Sequence, residues 1–324
     1  MHFMLVMDVI DKKIICELEN NCRTPFSQIA RKLRLNRNVV AYRVAKLEEQ
    51  GIITKYVLSL RLSSLGYRTY KIYFKINLDQ KQESDFVAYI LSDKKVIHAL
   101  KTEGEFDYSL AIAVKNVVEL DLFLMDLKNN FPHLIRDYEI STLVYTKVFK
   151  LEKLLLGKDQ GSPKIEKYSG EDTLIPLDEK DLALLRALSF KANIPIVDLA
   201  KKTNISLDIV KYRLKNLSGS VISSYRIAYN LPKLGFYFYR VLLRIKQATE
   251  AEERKLITWC SLRSNVLYCT KQISYYDFEI NVAIRDVEDY TQFMLDLRRN
   301  FPMVIDSYKT LMMNTLLKLD YIPF

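Results

Sequence analysis

The chain has little of what most enzymes and metal sites are built from. Its 324 residues include three histidines, His2, His98 and His133. They are too few and too scattered for a histidine-based metal site. The four cysteines, Cys16, Cys22, Cys260 and Cys269, form no CxxC pair, so reduced and buried thiols are expected. Eight glycines disfavour loops that cradle nucleotide phosphates, and HExxH and GxSxG are both absent. No catalytic residue, metal or cofactor is therefore expected. No apolar run approaches the roughly 18–20 residues of a membrane span. The opening Met1-His2-Phe3-Met4-Leu5-Val6-Met7 is too short for the apolar region of a signal peptide. A cytoplasmic protein is the expectation.

What the chain does have is itself, twice. Shifted by 170 residues, Asp8 and Asp11 fall on Asp178 and Asp181, Pro25 on Pro195, and Tyr42-Arg43 on Tyr212-Arg213. Further on, Asp107 meets Asp277, and Asn130-Phe131-Pro132 meets Asn300-Phe301-Pro302. From 8 to 52 eleven of forty-five positions are identical without a gap. The register slips by one at Leu65-Gly66 against Leu234-Gly235 and later recovers. A repeat this long is a duplicated domain pair and not a solenoid unit of about 20–50 residues.

Residues 8–61 read as three helices and a wing. Ile10, Ile14 and Leu18 make a core stripe on a helix over 8–20, with Asp8 as its N-cap. A second helix starts at Pro25, with Thr24 as the expected cap. Asn36 caps a third that runs to Gln50, where Gly51 supplies a left-handed exit. Ile52 to Arg61 is expected to form a short β-hairpin wing. Residues 66–150 alternate differently: strand 68–78, helix 81–92, strands 96–102 and 106–114, helix 117–130, strand 135–149. This βαββαβ order is the ferredoxin-like plan.

The fold class is thus α+β, two winged helix-turn-helix domains each followed by a ferredoxin-like βαββαβ domain. The expected boundaries are 1–61, 62–155, a Gly/Ser/Pro-punctuated linker at 156–176, 177–230 and 231–324.

The net charge of +10 and pI of about 9.2 favour a polyanionic partner. The distribution says more than the total. Between Asn20 and Leu47 there are seven basic residues, Arg23, Arg31, Lys32, Arg34, Arg37, Arg43 and Lys46, and no acid. Contact with double-stranded DNA requires such a one-sign surface. At 100° per residue, Val40, Val44 and Leu47 face the core of the third helix. Asn38, Ala41, Tyr42 and Ala45 lie opposite, toward base edges. Arg37 and Arg43 flank the stripe, where phosphate clamping is favoured. Two alternatives stand beside this: Tyr42 as a surface tyrosine packed on a neighbour, and Arg43 as an ion-pair partner of the first helix. Lys201, Lys202, Lys211, Tyr212, Arg213 and Lys215 are the candidate contacts of the second half.

Taken together these motifs resemble the Lrp/AsnC (feast/famine) transcription regulators. Asp8-x-x-Asp11-x-x-Ile14-Ile15 resembles the family's opening helix. Asn36-x-Asn38-Val39-x-x-Arg43-Val44-x-x-Leu47-x-x-x-Gly51-Ile52 resembles its recognition helix and wing, and Gly104-x-x-Asp107-Tyr108 its effector-domain turn. The resemblance implies DNA binding, an amino-acid-like effector in the regulatory domains and assembly into a homo-oligomer. Gly104, Glu105, Asp107 and Thr142 are the effector candidates it points to. The alternative for Gly104-Glu105 is a plain hairpin turn.

The copies have diverged. Asp208 stands where the first half has Asn38, and a carboxylate there repels phosphate. Ser218-Gly219-Ser220-Val221 alters the second helix exit, and Ser274 replaces Gly104. The first half is therefore expected to dominate DNA affinity, and a non-palindromic target follows. Two other functions fit the same architecture. Siroheme decarboxylases resemble it, and an enzyme of that kind needs cations for substrate carboxylates and proton-handling side chains. An architectural DNA binder would use the same basic surface without base discrimination.

Overall fold

Short amphipathic helices with strong local caps alternate with strands too long to be satisfied within one repeat. The computed structural model describes residues 7–77, 80–157, 164–168, 173–246 and 248–324. The first half runs α1 (Val9–Asn20), α2 (Phe26–Leu33), α3 (Arg37–Glu49), β1 (Ile53–Leu60), β2 (Arg68–Ile76), α4 (Gln80–Ser92), β3 (Val96–Gly104), β4 (Tyr108–Val114), α5 (Val117–Asn130) and β5 (Ile135–Val148). Next come α6 (Leu151–Leu156) and β6 (Lys164–Lys167). The second half repeats the order as α7 (Glu179–Phe190), α8 (Ile196–Thr203), α9 (Leu207–Leu217), β7 (Ile222–Tyr229), β8 (Tyr237–Ile245), α10 (Glu250–Leu262), β9 (Val266–Ile273), β10 (Phe278–Ile284), α11 (Val287–Asn300) and β11 (Ile305–Leu319). Two compact units result, and each takes parts of both halves.

One unit holds both helix triplets. Asp8 and Asp178 cap α1 and α7 by accepting from the amides of Asp11 and Asp181, and Asn36 caps α3 through the Asn38 amide. Thr24 does not cap α2. Pro25 itself takes the extended N-cap position, and no side-chain cap bond is made. Ile14, Ile15 and Leu18 of α1 are buried, as are Ile29, Ala30, Val40, Val44 and Leu47 of α2 and α3. Gly51 has the expected left-handed φ of +63°.

The expected hairpin wing is absent. Residues 53–60 are a single strand with no turn residue inside it, so its ladder must come from elsewhere. It comes from the repeat: β1 pairs antiparallel with β7, with Tyr56 opposite Ile227 and Leu58 opposite Tyr225. Matching amides reinforce the pairing, Cys22 N to Tyr225 O at 3.0 Å and Ala192 N to Tyr56 O at 3.4 Å. The buried Glu19 accepts from Arg226 Nε at 2.9 Å. On the outer side α6 lays Leu151, Leu154 and Leu155 against α1. Burial pushes the Cys16 and Cys22 thiols up to about 12, which keeps them protonated and inert.

The second unit is a closed ring of eight strands, β2-β4-β3-β11-β8-β10-β9-β5 and back to β2. Closure follows from the length of the last strand in each repeat. β5 pairs with β2 through Ile135–Thr142 and then with β9 through Thr142–Val148. β11 does the same with β8 and then β3. A strand of fourteen or fifteen residues outruns its own repeat and finishes its ladder on the other. The stretch expected to be a linker contains β6, which adds to β5. Gly161-Ser162-Pro163 and Ser169-Gly170 lie outside the described residues. No helix among those described is long and apolar enough to cross a membrane.

Each repeat packs its outer face on its own helices. Ile72, Phe74, Leu110 and Ile112 meet Phe86, Phe123 and Leu127 in the first, and Val241, Leu243, Ile280 and Val282 meet Trp259, Phe293 and Leu297 in the second. The inner faces enclose a lumen in which polar groups from both repeats meet. Lys71 Nζ lies 2.5 Å from Glu279 Oε2, and Arg240 Nε lies 3.0 Å from Glu279 Oε1. Tyr73 OH donates to Glu279 at 2.7 Å, and Arg240 donates to Ser109 Oγ at 2.7 Å. All are nearly inaccessible, Lys71 at 7%, Arg240 at 4% and Glu279 at 1%. Burial pulls against ionisation of Glu279, but Arg240 and then Lys71 outweigh it and hold the carboxyl at about 2. The cations must share that one carboxylate. Burial and the neighbouring Arg240 accordingly bring Lys71 down to about 8 despite Glu279.

Candidate nucleic-acid interface

The turn between α2 and α3 carries the basic surface. Arg31 and Lys32 occupy the last turn of α2, and Arg34 ends it in a left-handed conformation, φ +57°. Its counterpart Asn204 does the same at +53°, a conformation asparagine adopts more readily. Arg37, Asn38, Tyr42 and Lys46 are exposed along α3. Tyr42 is 69% exposed and Tyr212 on α9 66%, so neither packs on a neighbour. Val40, Val44 and Leu47 are buried on the opposite face, as helix geometry requires.

Not every cation of the stretch faces outward. Arg43 donates to Asp8 Oδ2 and Asp11 Oδ1, both at 2.7 Å, and Arg213 binds Asp178 and Asp181 at 2.7 and 2.8 Å. The hydrogen bonds it donates to Asp11 and Asp8 raise the Arg43 pKa and hold it charged. The ion-pair alternative therefore describes Arg43 and Arg213, and the phosphate-clamp expectation is corrected. The guanidinium needed to clamp a phosphate already joins α3 to the N-terminus of α1. Arg23 is likewise turned inward, donating to Ala192 O at 2.6 Å and lying 5.2 Å over the Tyr225 ring. Its counterpart Asn193 is not basic, which was the available sign that Arg23 serves something other than a repeated DNA contact. Lys32 pairs with Glu17 at 2.5 Å yet stays exposed. Arg31, Arg34, Arg37 and Lys46 remain exposed with no ion pair among the described residues.

The second half is weaker in this respect. Lys211 pairs with Asp208 at 3.4 Å, and the Lys202 ammonium lies 4.9 Å over the Phe190 ring. Lys201 and Lys215 are exposed.

In the barrel unit the four effector candidates do not form one cluster of ligand-facing groups. Gly104 has φ +124°, and a Cβ there would stand 2.8 Å from Thr310 O. The glycine thus permits close approach of β11, where Leu311 is its strand partner. Asp107 accepts from Ile76 N at 2.8 Å, as Asp277 does from Ile245 N, so this carboxylate satisfies a strand amide in both halves. Glu105 pairs with Lys309 at 2.7 Å. Thr142 sits where β5 passes from β2 to β9.

Comparison with known proteins agrees with this geometry. A winged helix-turn-helix DNA-binding model matches residues 7–54 and 177–218. The proline dehydrogenase transcriptional activator of Rhodobacter capsulatus is 30% identical over 131 residues, 40% of this chain and 84% of the relative. The chain belongs to the Lrp/AsnC family of transcription regulators. The HTH-type transcriptional regulator LrpA of Bacillus subtilis is 29% identical over 140 residues, 43% of this chain and 98% of LrpA. A Lrp/AsnC regulator of that length thus matches less than half of the present chain, as the internal duplication requires. Over nearly the whole chain the fold is similar to the crystal structure of the siroheme decarboxylase NirDL, with a TM-score of 0.63, 97% of this chain and 94% of that one covered, and 16% identity. That likeness is one of architecture. Within the Lrp/AsnC family this chain is a DNA-binding regulator with two winged domains in tandem.

Proposed function

We propose that the first winged half is the principal DNA reader of an asymmetric transcription regulator without catalytic activity. The observation that carries this reading is the exposed, acid-free basic surface of the α2–α3 turn, with Tyr42 and Asn38 projecting from it. Placed in the major groove, α3 presents Asn38 and Tyr42 to base edges, and Asn38 has the amide geometry that pairs with adenine. Arg31, Lys32, Arg34, Arg37 and Lys46 contact phosphates on either side. The second half adds Lys201, Lys202, Lys215 and Tyr212 around a recognition helix that carries Asp208. Two non-identical readers select two different half-sites. The barrel unit is the part that senses a small effector, and the chain assembles into a homo-oligomer acting on cytoplasmic DNA.

Titration of a labelled duplex at 50 and 200 mM salt tests the DNA reading. Five phosphate contacts from the first half give a slope of about −4.5 in log K against log salt, or roughly a five-hundredfold loss of affinity between those concentrations. A flat response removes it. Selection of bound sequences from a random pool tests the asymmetry, and a perfect palindrome would refute it.

A further inference from the structure

The joint between the two winged halves is symmetric in its backbone and lopsided in its side chains. The amide bonds come in matched pairs. Cys22 N to Tyr225 O is answered by Ala192 N to Tyr56 O, and Asn230 N to Ile52 O at 2.9 Å by Arg61 N to Val221 O at 2.8 Å. The side-chain bridges are not answered in this way. Arg226 of β7 crosses to the buried Glu19 of α1, through Nε at 2.9 Å and through a second guanidinium nitrogen. Shifted by 170 residues, this pair becomes Tyr56 and Ser189, and both turn to their own half. Tyr56 OH donates to Glu48, and Ser189 Oγ to Arg186 O. Arg23 reaches Ala192 O and the Tyr225 ring, whereas its twin Asn193 keeps a buried Oδ1 with no hydrogen-bond partner.

A further bridge ends on the recognition helix itself. Lys233 sits in the short helical turn at 232–234, between β7 and β8. Asn230 Oδ1 holds its amide at 3.1 Å. From there its ammonium donates to Gln50 O at 2.5 Å, the carbonyl of the residue that caps α3. It also lies against the left-handed exit, since a Cβ on Gly51 would stand 2.8 Å from Lys233 Nζ. A cation at a helix C-terminus satisfies an orphan carbonyl and opposes the dipole. α9 is finished from within. Ser220, at the position of Gln50, donates its Oγ to Asn216 O and Leu217 O of the same helix end. Allowing for the slip of one, the twin of Lys233 is the uncharged Ser64. The second half thus holds α1 through Arg226, the α1–α2 turn through Tyr225 and Ala192 O, and α3 through Lys233. None of these contacts uses the outward face of α3, where Asn38 and Tyr42 stay exposed.

We propose that the second winged half is a brace for the first, with Arg226, Tyr225 and Lys233 as positioning residues that set α3 for base recognition. The proposal rests on the reading of the first half as the DNA reader. A brace needs no base contact of its own, so it is compatible with the Asp208 carboxylate on α9. Holding α3 in one orientation before the duplex arrives lowers the ordering cost of binding. Base contacts gain most from this, because their paired hydrogen bonds demand a fixed geometry that a phosphate contact does not.

The test uses the full chain, with a duplex recovered by selection from a random pool and a random duplex as its reference. Lys233→Met and Arg226→Met each lower the ratio of selected to random affinity by about tenfold, the loss of one base contact. Affinity for the random duplex and its salt slope stay as in the parent chain, because the phosphate contacts remain. Lys233→Arg restores the ratio. Hydrogen exchange reads the same joint without DNA. The Gln50, Gly51 and Ile52 amides, bonded to the Lys46, Glu48 and Leu47 carbonyls, exchange faster in Lys233→Met, while the end of α9 is unchanged. Lys233→Met carries the test alone if Arg226→Met, which strands the buried Glu19, does not fold. An unchanged ratio, or unchanged exchange in Lys233→Met, overturns the brace. So does an equal loss on all duplexes with a flatter salt slope, which makes Lys233 a phosphate contact. A selective parent chain with unaffected variants sinks the brace alone, whereas a parent chain that binds no duplex sinks the regulator reading and the brace with it.

Discussion

Arg37 and Arg43 lie on the same helix, and in the proposed DNA reading they do opposite work. Arg37 is exposed at the first turn of α3, whereas Arg43 is 24% exposed and held by two carboxylates at 2.7 Å. Arg37→Ala removes one phosphate contact. Its counterion-release share at about 0.15 M salt is near 0.9 × 0.8 in log K, so affinity falls about fivefold and the salt slope flattens by about 0.9. Because a phosphate carries no sequence information, the loss is equal on all duplexes. Arg43→Ala removes two partly exposed ion pairs, worth about 1 kcal/mol together after solvent screening. It lowers the melting temperature by a few degrees and leaves the salt slope unchanged once the protein is folded. Anisotropy titrations at several salt concentrations, paired with thermal melts, read both quantities. If Arg43→Ala flattens the salt slope at unchanged stability, or Arg37→Ala does not, the assignment of roles on α3 is wrong.

Three further outcomes follow from particular contacts. Glu279, held at about 2 against an ordinary 4.5, contributes stability that is fully present above pH 4.5 and lost as pH falls from there toward 2. Melts from pH 6 to 2 show that loss, and Glu279→Gln removes the pH step while costing about 3–5 kcal/mol at neutral pH by leaving Lys71 and Arg240 unbalanced. Gly104→Ala forces a Cβ to 2.8 Å from Thr310 O at φ +124° and costs roughly 2–3 kcal/mol in denaturant unfolding, whereas Gly157→Ala, with nothing within 4 Å of its Cβ, costs about 1 kcal/mol. Asp208→Asn removes a carboxylate from the second recognition helix and tightens duplex binding about fivefold, an effect that vanishes at high salt.

Local signals carried most of the fold into the sequence. The caps at Asp8, Asn36 and Asp178, the stripe of Ile14 and Leu18, and Gly51 are decided by neighbours three or four residues away, and they appear where expected. Long-range pairing was another matter. Ile52 to Arg61 has the composition of a strand, but the hairpin expectation required a turn the segment lacks. Its true partner, β7, lies about half the chain away. Arg43 illustrates the same limit at the candidate site. Helix geometry placed it correctly on the flank of α3, yet Asp8 and Asp11 reach that flank through the packing of α1. The lumen was hidden for a related reason. Lys71, Tyr73 and Lys75 read as the polar, outward face of a strand, and sequence alone does not say that the other repeat covers this face.

The covered face also explains what joining two copies makes possible. In a symmetric dimer of separate chains, each lumen position meets an identical partner. Two copies of the first repeat would bury two Lys71 ammoniums beside two Ser109 hydroxyls, without the carboxylate that Glu279 supplies. Two copies of the second would set Phe238, Leu311 and Met313 on both walls of the lumen. Only a chain in which the repeats are free to diverge can set Lys71 and Arg240 around one Glu279, and place Phe238 and Leu311 in one repeat where the other has Thr69 and Ser141. The same freedom leaves α3 with an acid-free surface while α9 acquires Asp208. Both asymmetries follow from one covalent event, and both concern groups that face a partner or another strand's lumen side. The buried stripes of the helices, which only hold each repeat together, have stayed alike.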